Sequence, residues 1–216
     1  MFAGKKTIRS AFALAAGLSM IIAAGACGNN ASQQGSGSGT QRSAINVVSS
    51  INQWGSLAKE IGGNKVKVTS ILSNPNVEAH EFEPKANDVA QFSKTDVTIY
   101  NGADYDPWAA KAAKGTKATV IDVAEESGVK EGGNPHIWIM AKARETAAKK
   151  LAEAFKKARP SDSAYFDSQY NAWKKSEEKF TQAAAEAKKS IEGKKYAATE
   201  SVASYLASDL GLEDST

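Results

Sequence analysis

Residues 45–72 read INVVSSINQWGSLAKEIGGNKVKVTSIL, with a β-rich run at each end of a helical segment. The runs INVVSSI (45–51) and VKVTSIL (66–72) have the length and composition of strands. Residues 54–61 between them predict a helix, and this helix stops at a pair of glycines, Gly62 and Gly63. A strand, a helix and a second strand in this order predict a βαβ unit with parallel strands.

The same alternation continues along the chain. Two more strands are predicted at residues 96–101 and 118–124, and a helix at residues 85–93 follows Pro84. A further helix, AKARETAAKKLAEAFKKA, is halted before Pro160. We therefore predict an α/β lobe built on a parallel sheet over residues 44–160.

A long helix is predicted next, within residues 161–193. From Phe166 onward, larger or apolar side chains recur at a spacing of three or four, which predicts one stripe of a helix: Tyr170, Trp173, Phe180, Ala184, Ala187 and Ile191. The helix would run from about Ser163 to Ser190 and measure roughly 40 Å, with Gly193 closing it. We interpret it as a rigid connection between two lobes, and a helix of a bundle is the alternative.

The last segment, residues 194–216, begins with a strand-like run, KYAAT (195–199), and continues with a helical run, SVASYLASDL. We interpret it as the start of a second α/β lobe. One strand and one helix bury little apolar surface, and we therefore expect this segment to be loosely held.

The first residues have the pattern of an export signal. Residues 10–26 are uncharged and largely apolar, and they follow a short cationic start made of Lys5, Lys6 and Arg9. A charged start, an apolar centre and a small-residue end predict a signal peptide over residues 1–26.

Cys27 is the single cysteine of the chain, and the tripeptide before it, Ala24-Gly25-Ala26, resembles a bacterial lipobox. We predict that Cys27 is lipidated, because a lone exposed thiol is a liability in an oxidising compartment. An ordinary signal peptide followed by an incidental thiol is the alternative. Residues 28–43, GNNASQQGSGSGTQRS, lack apolar bulk and predict a flexible linker. Residues 27–43 would thus anchor a domain to the outer face of the cell membrane.

The net charge of the chain does not indicate nucleic-acid binding. The full sequence has 27 Lys and Arg against 24 Asp and Glu, and the three cationic residues before Cys27 would leave with the signal peptide. The mature chain would then carry equal numbers of both signs, 24 of each. We expect no nucleic-acid partner and a monomer.

The chain has two histidines, and each lies in a loop that follows a predicted strand. His80 lies in NVEAHEFEPK and His136 in GGNPHIWIM. Glu200 stands directly after KYAAT, again at a strand end. Ligands of open parallel sheets gather at the carboxyl ends of strands, and two imidazoles and a carboxylate could converge there. Each signal alone is weak, because a loop histidine is more often a hydrogen-bonding surface residue than a metal ligand.

Six segments in order resemble the solute-binding lipoproteins of zinc and manganese ABC importers: INVVSSINQW, AKEIGGNKVKVTSIL, AHEFEP, KTDVTIYNGADYDPW, NPHIW and TESVASYLASDLGLE. The resemblance covers residues 45–213, nearly the whole mature chain. It implies a two-lobed α/β receptor that captures a divalent transition metal and delivers it to an ABC permease in the membrane, with no organic cofactor and no catalysis.

The resemblance also implies the metal ligands. The family's first two ligand positions fall on His80 and His136, and the third, which is histidine or glutamate, falls on Glu200. The family chain continues through most of a second lobe and usually supplies a fourth, acidic ligand there. This sequence stops at Thr216, which implies an incomplete C-terminal lobe. After NPHIW the family often has an acidic residue and proline, and this sequence has Ile139 and Met140.

Two other functions remain open at this point. Two histidines and one carboxylate also form the iron site of non-haem oxygenases or an open catalytic zinc site, although the sequence offers no general base or cosubstrate motif. Some relatives are reported to be surface adhesins, and no residue of this sequence favours or opposes that role.

The identity of the metal is also open. An oxygen ligand at Glu200 in place of a third histidine favours manganese. The absence of a histidine-rich loop between Trp108 and His136 favours it too. Zinc nevertheless binds most nitrogen and oxygen sites more tightly than manganese.

Replacing Cys27 with alanine tests the predicted anchor. We expect Cys27→Ala to release the protein into the medium or to leave an uncleaved precursor, because the lipid would have no attachment point. Fractionation of membranes and medium, followed by a mass measurement, distinguishes these outcomes. Membrane retention with normal cleavage would show that a lipid on Cys27 is not the anchor.

Overall fold

The structure, a computed structural model, describes residues 43–74, Val77, Ala79 and residues 81–215. The predicted signal peptide, Cys27 and nearly all of the linker lie outside the described residues, and so does His80. In the described part of the chain, no helix is both long enough and apolar enough to cross a membrane.

Four parallel strands form the central sheet, in the order β2-β1-β3-β4: β1 (Ile45–Ile51), β2 (Val66–Leu72), β3 (Val97–Tyr100) and β4 (Thr119–Asp122). The predicted parallel sheet is confirmed, with β1 and β2 at the predicted bounds. The fourth strand is shorter than the predicted 118–124. The Asp122 side chain accepts a hydrogen bond from the backbone N–H of Glu125 at 3.0 Å, which starts a helix where the sequence pattern still reads as strand.

Helices surround this sheet, and in the described residues they are α1 (Asn52–Gly62), α2 (Ala86–Phe92), α3 (Pro107–Ala113), α4 (Val123–Ser127), α5 (Ala141–Ala158), α6 (Ser163–Ile191) and α7 (Ser204–Asp209). Short 3-10 turns lie at Gly63–Lys65, Ile137–Ile139, Pro160–Asp162 and Ser201–Ala203. Helices α3 and α4 were not predicted, because seven and five residues are too few to show a helical period.

The two faces of the sheet pack against different helices, as the alternation of strand side chains requires. Val47 and Ile99 point to one face, in a core that includes residues of α1, α5 and α6. Val48 and Tyr100 point to the other face and pack with residues of α2 and α3. Helices therefore cover both faces, and the carboxyl edge of the sheet is left to the loops that carry polar side chains.

Helix α6 is as long as predicted, 29 residues, and Gly193 follows its end with a φ of 73°. Its predicted apolar stripe is buried only near the start. Phe166 and Trp173 are buried, whereas Phe180 is 45% exposed and Ala187 is exposed. The period was read correctly, but a period gives the direction of a stripe and not the length over which a partner covers it. Within the described residues, the second half of α6 has little packed against this stripe.

After α6, residues 194–215 form a small parallel pair of strands, β5 (Lys195–Tyr196) and β6 (Glu213–Asp214), with α7 between them. The predicted strand KYAAT is wrong beyond Tyr196. The predicted helix SVASYLASDL begins as a 3-10 turn and is α-helical only from Ser204 to Asp209. Ala207 is the one buried apolar residue that this described segment adds to the molecule, so packing holds it weakly.

The attachment of α6 to the sheet-bearing region depends on Phe166. Its ring is fully buried, with its centroid 5.5 Å from that of Phe155 of α5. We expect Phe166→Ala to lower the free energy of unfolding by about 3–5 kcal/mol, since it removes a buried ring and leaves a cavity. Urea denaturation of both proteins measures this difference.

Phe180→Ala is the matched control, because Phe180 lies on the same helix but is 45% exposed. Its loss should cost about 1 kcal/mol or less, including its contact with Arg144. Equal effects of the two substitutions would contradict the assigned packing of α6.

Candidate metal centre

The carboxyl edge of the sheet is organised around Asn101, a fully buried residue directly after β3. Its side-chain oxygen accepts a hydrogen bond from Trp54 Nε1 of α1 at 3.1 Å. Its side-chain nitrogen donates to the carbonyl of Pro135 at 2.8 Å and to the carbonyl of Gly102 at 3.1 Å. Asn101 therefore fixes the loop that carries His136 against the end of β3.

The backbone of Asn101 is held as well. Its N–H donates to Asp106 Oδ2 at 2.8 Å, and the N–H of Gly102 donates to Asp106 Oδ1 at 2.9 Å. Its carbonyl accepts from the N–H of Ala124 in α4 at 2.9 Å. Burial raises the pKa of the Asp106 carboxyl, and the two backbone N–H groups act in the opposite direction.

The His136 loop is short and closely packed. His136 precedes the 3-10 turn Ile137–Ile139, in which Ile137 is fully buried. The imidazole packs edge-on against Trp138 and Tyr105, with ring centroids 5.2 and 6.1 Å away. Imidazole Nδ1 lies 2.8 Å from Asn134 Oδ1. A ring with this many neighbours has little rotational freedom, as a metal ligand requires.

The C-terminal segment approaches the same imidazole. Ser201 Oγ lies 3.4 Å from His136 Nδ1, although the two residues are 65 positions apart in the chain. Glu200 directly precedes Ser201 in extended conformation and is exposed. It lines a small depression of about 280 Å³ together with Ser204 and Asp214. Ser201, the residue after Glu200, therefore lies beside the His136 loop.

The remaining predicted ligand, His80, lies outside the described residues. Residues on both sides of it are described. Ala79 is buried, and the Phe82 ring packs on Trp108 with a centroid distance of 5.1 Å. Among the described residues, which exclude His80, no three His, Cys, Asp or Glu side chains are grouped as a metal site would require. The three-residue site therefore stays a prediction.

A separate acidic cavity of about 620 Å³ lies beside the ends of β3 and β4, lined by residues that include Asp104, Asp106 and Asp122. These carboxylates accept hydrogen bonds from backbone N–H groups of Gly132, Asn101, Gly102 and Glu125. These carboxylates therefore hold loops in place through hydrogen bonds. None of the predicted metal ligands is among them.

Sequence reasoning did not identify Asn101, Asn134, Tyr105 or Trp138 as parts of the site. Asn134 had a local signal, since it stands with Pro135 directly before His136, and Asn-Pro favours a turn. Asn101 had no such signal in the sequence beyond its position at the end of a predicted strand.

The family model described as zinc-uptake complex component A periplasmic matches residues 47–216. The metal ABC transporter substrate-binding lipoprotein SloC of Streptococcus mutans is 26% identical over 161 residues, which cover 66% of this chain and 51% of SloC. The manganese ABC transporter substrate-binding lipoprotein PsaA of Streptococcus anginosus is 26% identical over 144 residues, 59% of this chain and 46% of PsaA. The chain therefore spans about half the length of these curated relatives.

Among solved structures, Zn(II)-bound AdcA from Streptococcus pneumoniae superimposes with a TM-score of 0.69 at 19% sequence identity, covering 79% of this chain and 38% of AdcA. A structural match at this low sequence identity is evidence for the fold alone. The predicted fold class, α/β with a parallel sheet and a long helix of the solute-binding type, is confirmed.

Among the residues at this edge of the sheet, we expect replacement of Asn101 to lower the free energy of unfolding most. Asn101→Ala leaves the indole N–H of Trp54 and the carbonyl of Pro135 without these hydrogen bonds. A buried polar group that loses its partner costs about 1–3 kcal/mol, and we expect a loss of unfolding free energy of about 2–4 kcal/mol. Urea denaturation measures it.

Asn171→Ala is the control, because Asn171 is exposed on α6. Alanine has the higher helix propensity, so this variant should be as stable as the parent or slightly more stable. An Asn101→Ala protein that unfolds at the same urea concentration as the Asn171→Ala protein would contradict the role given to Asn101.

Proposed function

Because the chain belongs to the zinc-uptake complex component A family, we propose that it is an extracytoplasmic receptor for a divalent transition metal. The metal, Zn²⁺ or Mn²⁺, is its cargo, and an ABC permease in the membrane receives it. The proposal includes attachment to the outer face of the membrane through Cys27, in keeping with relatives that are named lipoproteins.

The proposed ligands are His80, His136 and Glu200. The observation that carries the proposal is the approach of Ser201 to the His136 imidazole at 3.4 Å. It supports a site shared by two regions of the chain, because the residue before Ser201 is the proposed carboxylate ligand. We propose that residues 44–160 supply both histidines, that residues 161–193 act as the connection, and that residues 194–216 supply Glu200.

The donor set fits a divalent transition metal. Two imidazole nitrogens suit zinc, and a carboxylate oxygen extends the range toward manganese. Tyr105 and Trp138 pack against the half-buried His136 ring, and apolar neighbours that replace water strengthen the attraction between a cation and its ligands. The described residues near His136 either hydrogen-bond to its imidazole, as Asn134 does, or pack against it, as Tyr105 and Trp138 do. This favours capture of an ion over a chemical reaction as the proposed activity.

Metal titration of the full chain tests the proposal. After removal of metal with a chelator, calorimetry should show binding of Zn²⁺ or Mn²⁺ by the parent protein. His80→Ala and His136→Ala should each weaken binding at least about tenfold, because each removes a ligand nitrogen. Glu200→Ala should also weaken it, with the larger effect on Mn²⁺, which prefers oxygen ligands.

Glu178→Ala is the control for lost negative charge, since Glu178 is exposed on α6 and should bind as the parent does. Parent-like affinity in both histidine variants would refute the ligand assignment. Elemental analysis of protein from its native host then identifies the cargo.

A further inference from the structure

Asn134 makes a set of hydrogen bonds that fixes the orientation of its side-chain amide. Its Oδ1 accepts from the backbone N–H of His136 at 3.1 Å, and its Nδ2 donates to the carbonyl of Ser201 at 2.8 Å. A backbone N–H can only donate and a carbonyl can only accept. The reversed amide would face N–H against N–H and oxygen against oxygen, so the orientation is determined by chemistry.

This orientation determines the tautomer of His136. Imidazole Nδ1 lies 2.8 Å from Asn134 Oδ1, which accepts and cannot donate. Nδ1 must therefore carry the hydrogen. A neutral imidazole with its hydrogen on Nδ1 has its lone pair on Nε2, so Nε2 is the nitrogen that can coordinate a metal.

The same residue also holds the C-terminal segment. Ser201 Oγ donates to Asn134 Oδ1 at 3.2 Å, and Tyr205 Oη donates to the Asn134 carbonyl at 2.9 Å. An ordinary tyrosine hydroxyl keeps its proton at neutral pH, and burial raises the pKa of the Tyr205 hydroxyl further, so this group remains a donor. The side chain of Asn134 thus contacts the 3-10 turn that follows Glu200, and its backbone contacts α7.

We propose that Asn134 is a positioning residue that couples the His136 imidazole to the turn following Glu200. Its Oδ1 selects Nε2 as the coordinating nitrogen, and its Nδ2 holds the Ser201 carbonyl, so one amide sets the positions of two proposed ligands. The proposal rests on the proposed function for its role in metal capture, while the tautomer and the contact with Ser201 are properties of the metal-free protein.

The substitution Asn134→Asp separates the two parts of this role. A carboxylate still accepts from His136 Nδ1, but it has no hydrogen to donate to the Ser201 carbonyl. A carboxylate oxygen would then face the Ser201 carbonyl oxygen at the position where Asn134 Nδ2 now donates a hydrogen bond of 2.8 Å. Asn134→Asp should therefore keep the tautomer and release the Ser201 turn, whereas Asn134→Ala should lose both.

The first measurement uses the metal-free full chain. Nitrogen-15 NMR of the imidazole rings at pH 8, where a free imidazole is neutral, distinguishes the two tautomers directly. The chain has two histidines, and the spectrum of His80→Ala assigns them. We expect hydrogen on Nδ1 of His136 in the parent and in Asn134→Asp, and a mixture of tautomers in Asn134→Ala. Hydrogen on Nε2 in the parent would overturn the proposal.

The second measurement follows amide hydrogen exchange of residues 201–206 with and without Zn²⁺. We expect Zn²⁺ to slow exchange there in the parent but not in Asn134→Asp or Asn134→Ala. Zinc affinity should fall about 10–100-fold in Asn134→Ala, the usual effect of losing a residue that orients a ligand. It should fall less in Asn134→Asp. Retention of parent affinity by Asn134→Ala, or parent-like protection in Asn134→Asp, would contradict the coupling.

These outcomes separate the two proposals. A parent protein that binds no metal refutes the proposed function, and the tautomer measurement still decides whether Asn134 orients His136. Asn171→Ala controls for the loss of an amide elsewhere. If Asn134→Ala fails to fold, Asn134→Asp together with Ser201→Ala tests the contact, because Ser201→Ala removes only the hydroxyl and should leave the tautomer unchanged.

Discussion

The architecture of the candidate site depends on the burial of one amide, that of Asn101. A buried amide without hydrogen bonds is unfavourable by several kcal/mol. Asn101 satisfies its polar groups with partners from α1, from the loop after β3, from α4 and from the His136 loop. Trp54 and the carbonyl of Pro135 bond the side-chain amide, and Asp106 and Ala124 bond the backbone, so Asn101 is fully satisfied only when all four regions are in place. The carboxyl edge of the sheet is thereby held in one arrangement, and the position of His136 follows from it.

Much of the fold could be predicted because it follows from local patterns. The runs 45–51 and 66–72 are rich in β-branched residues, as strands are, and the glycines at 62 and 63 end the helix between them. Helix α5 begins and ends as its composition and Pro160 predict. These features depend on neighbours within a few residues, and a sequence displays such neighbours directly.

The remaining features depend on contacts between distant segments. Asn101 and Asn134 look like ordinary turn residues in the sequence, and their importance comes from partners 34 to 71 positions away. The exposed end of the α6 stripe has the same origin, because the period of a helix does not reveal where its packing partner stops. For the site, strand-end placement directed attention to His80, His136 and Glu200, and their role as ligands stays a prediction. Strand ends and the family resemblance both predicted that Glu200 lies near His136, and the structure shows its neighbour Ser201 at 3.4 Å from the imidazole.

The two described ligand candidates, His136 and Glu200, differ in how rigidly the structure holds them. This difference bears on the proposed capture and release of a metal ion. His136 belongs to a loop fixed by Asn101 and packed between aromatic rings. Glu200 is exposed on a segment with one buried apolar residue, and hydrogen bonds to Asn134 attach this segment to the His136 loop. Ordering such a segment costs conformational entropy, and this cost would be subtracted from the affinity for the ion. A site with one rigid and one adjustable ligand binds less tightly than a fully rigid one. That is a useful property when the metal is cargo to be passed on rather than a permanent part of the protein.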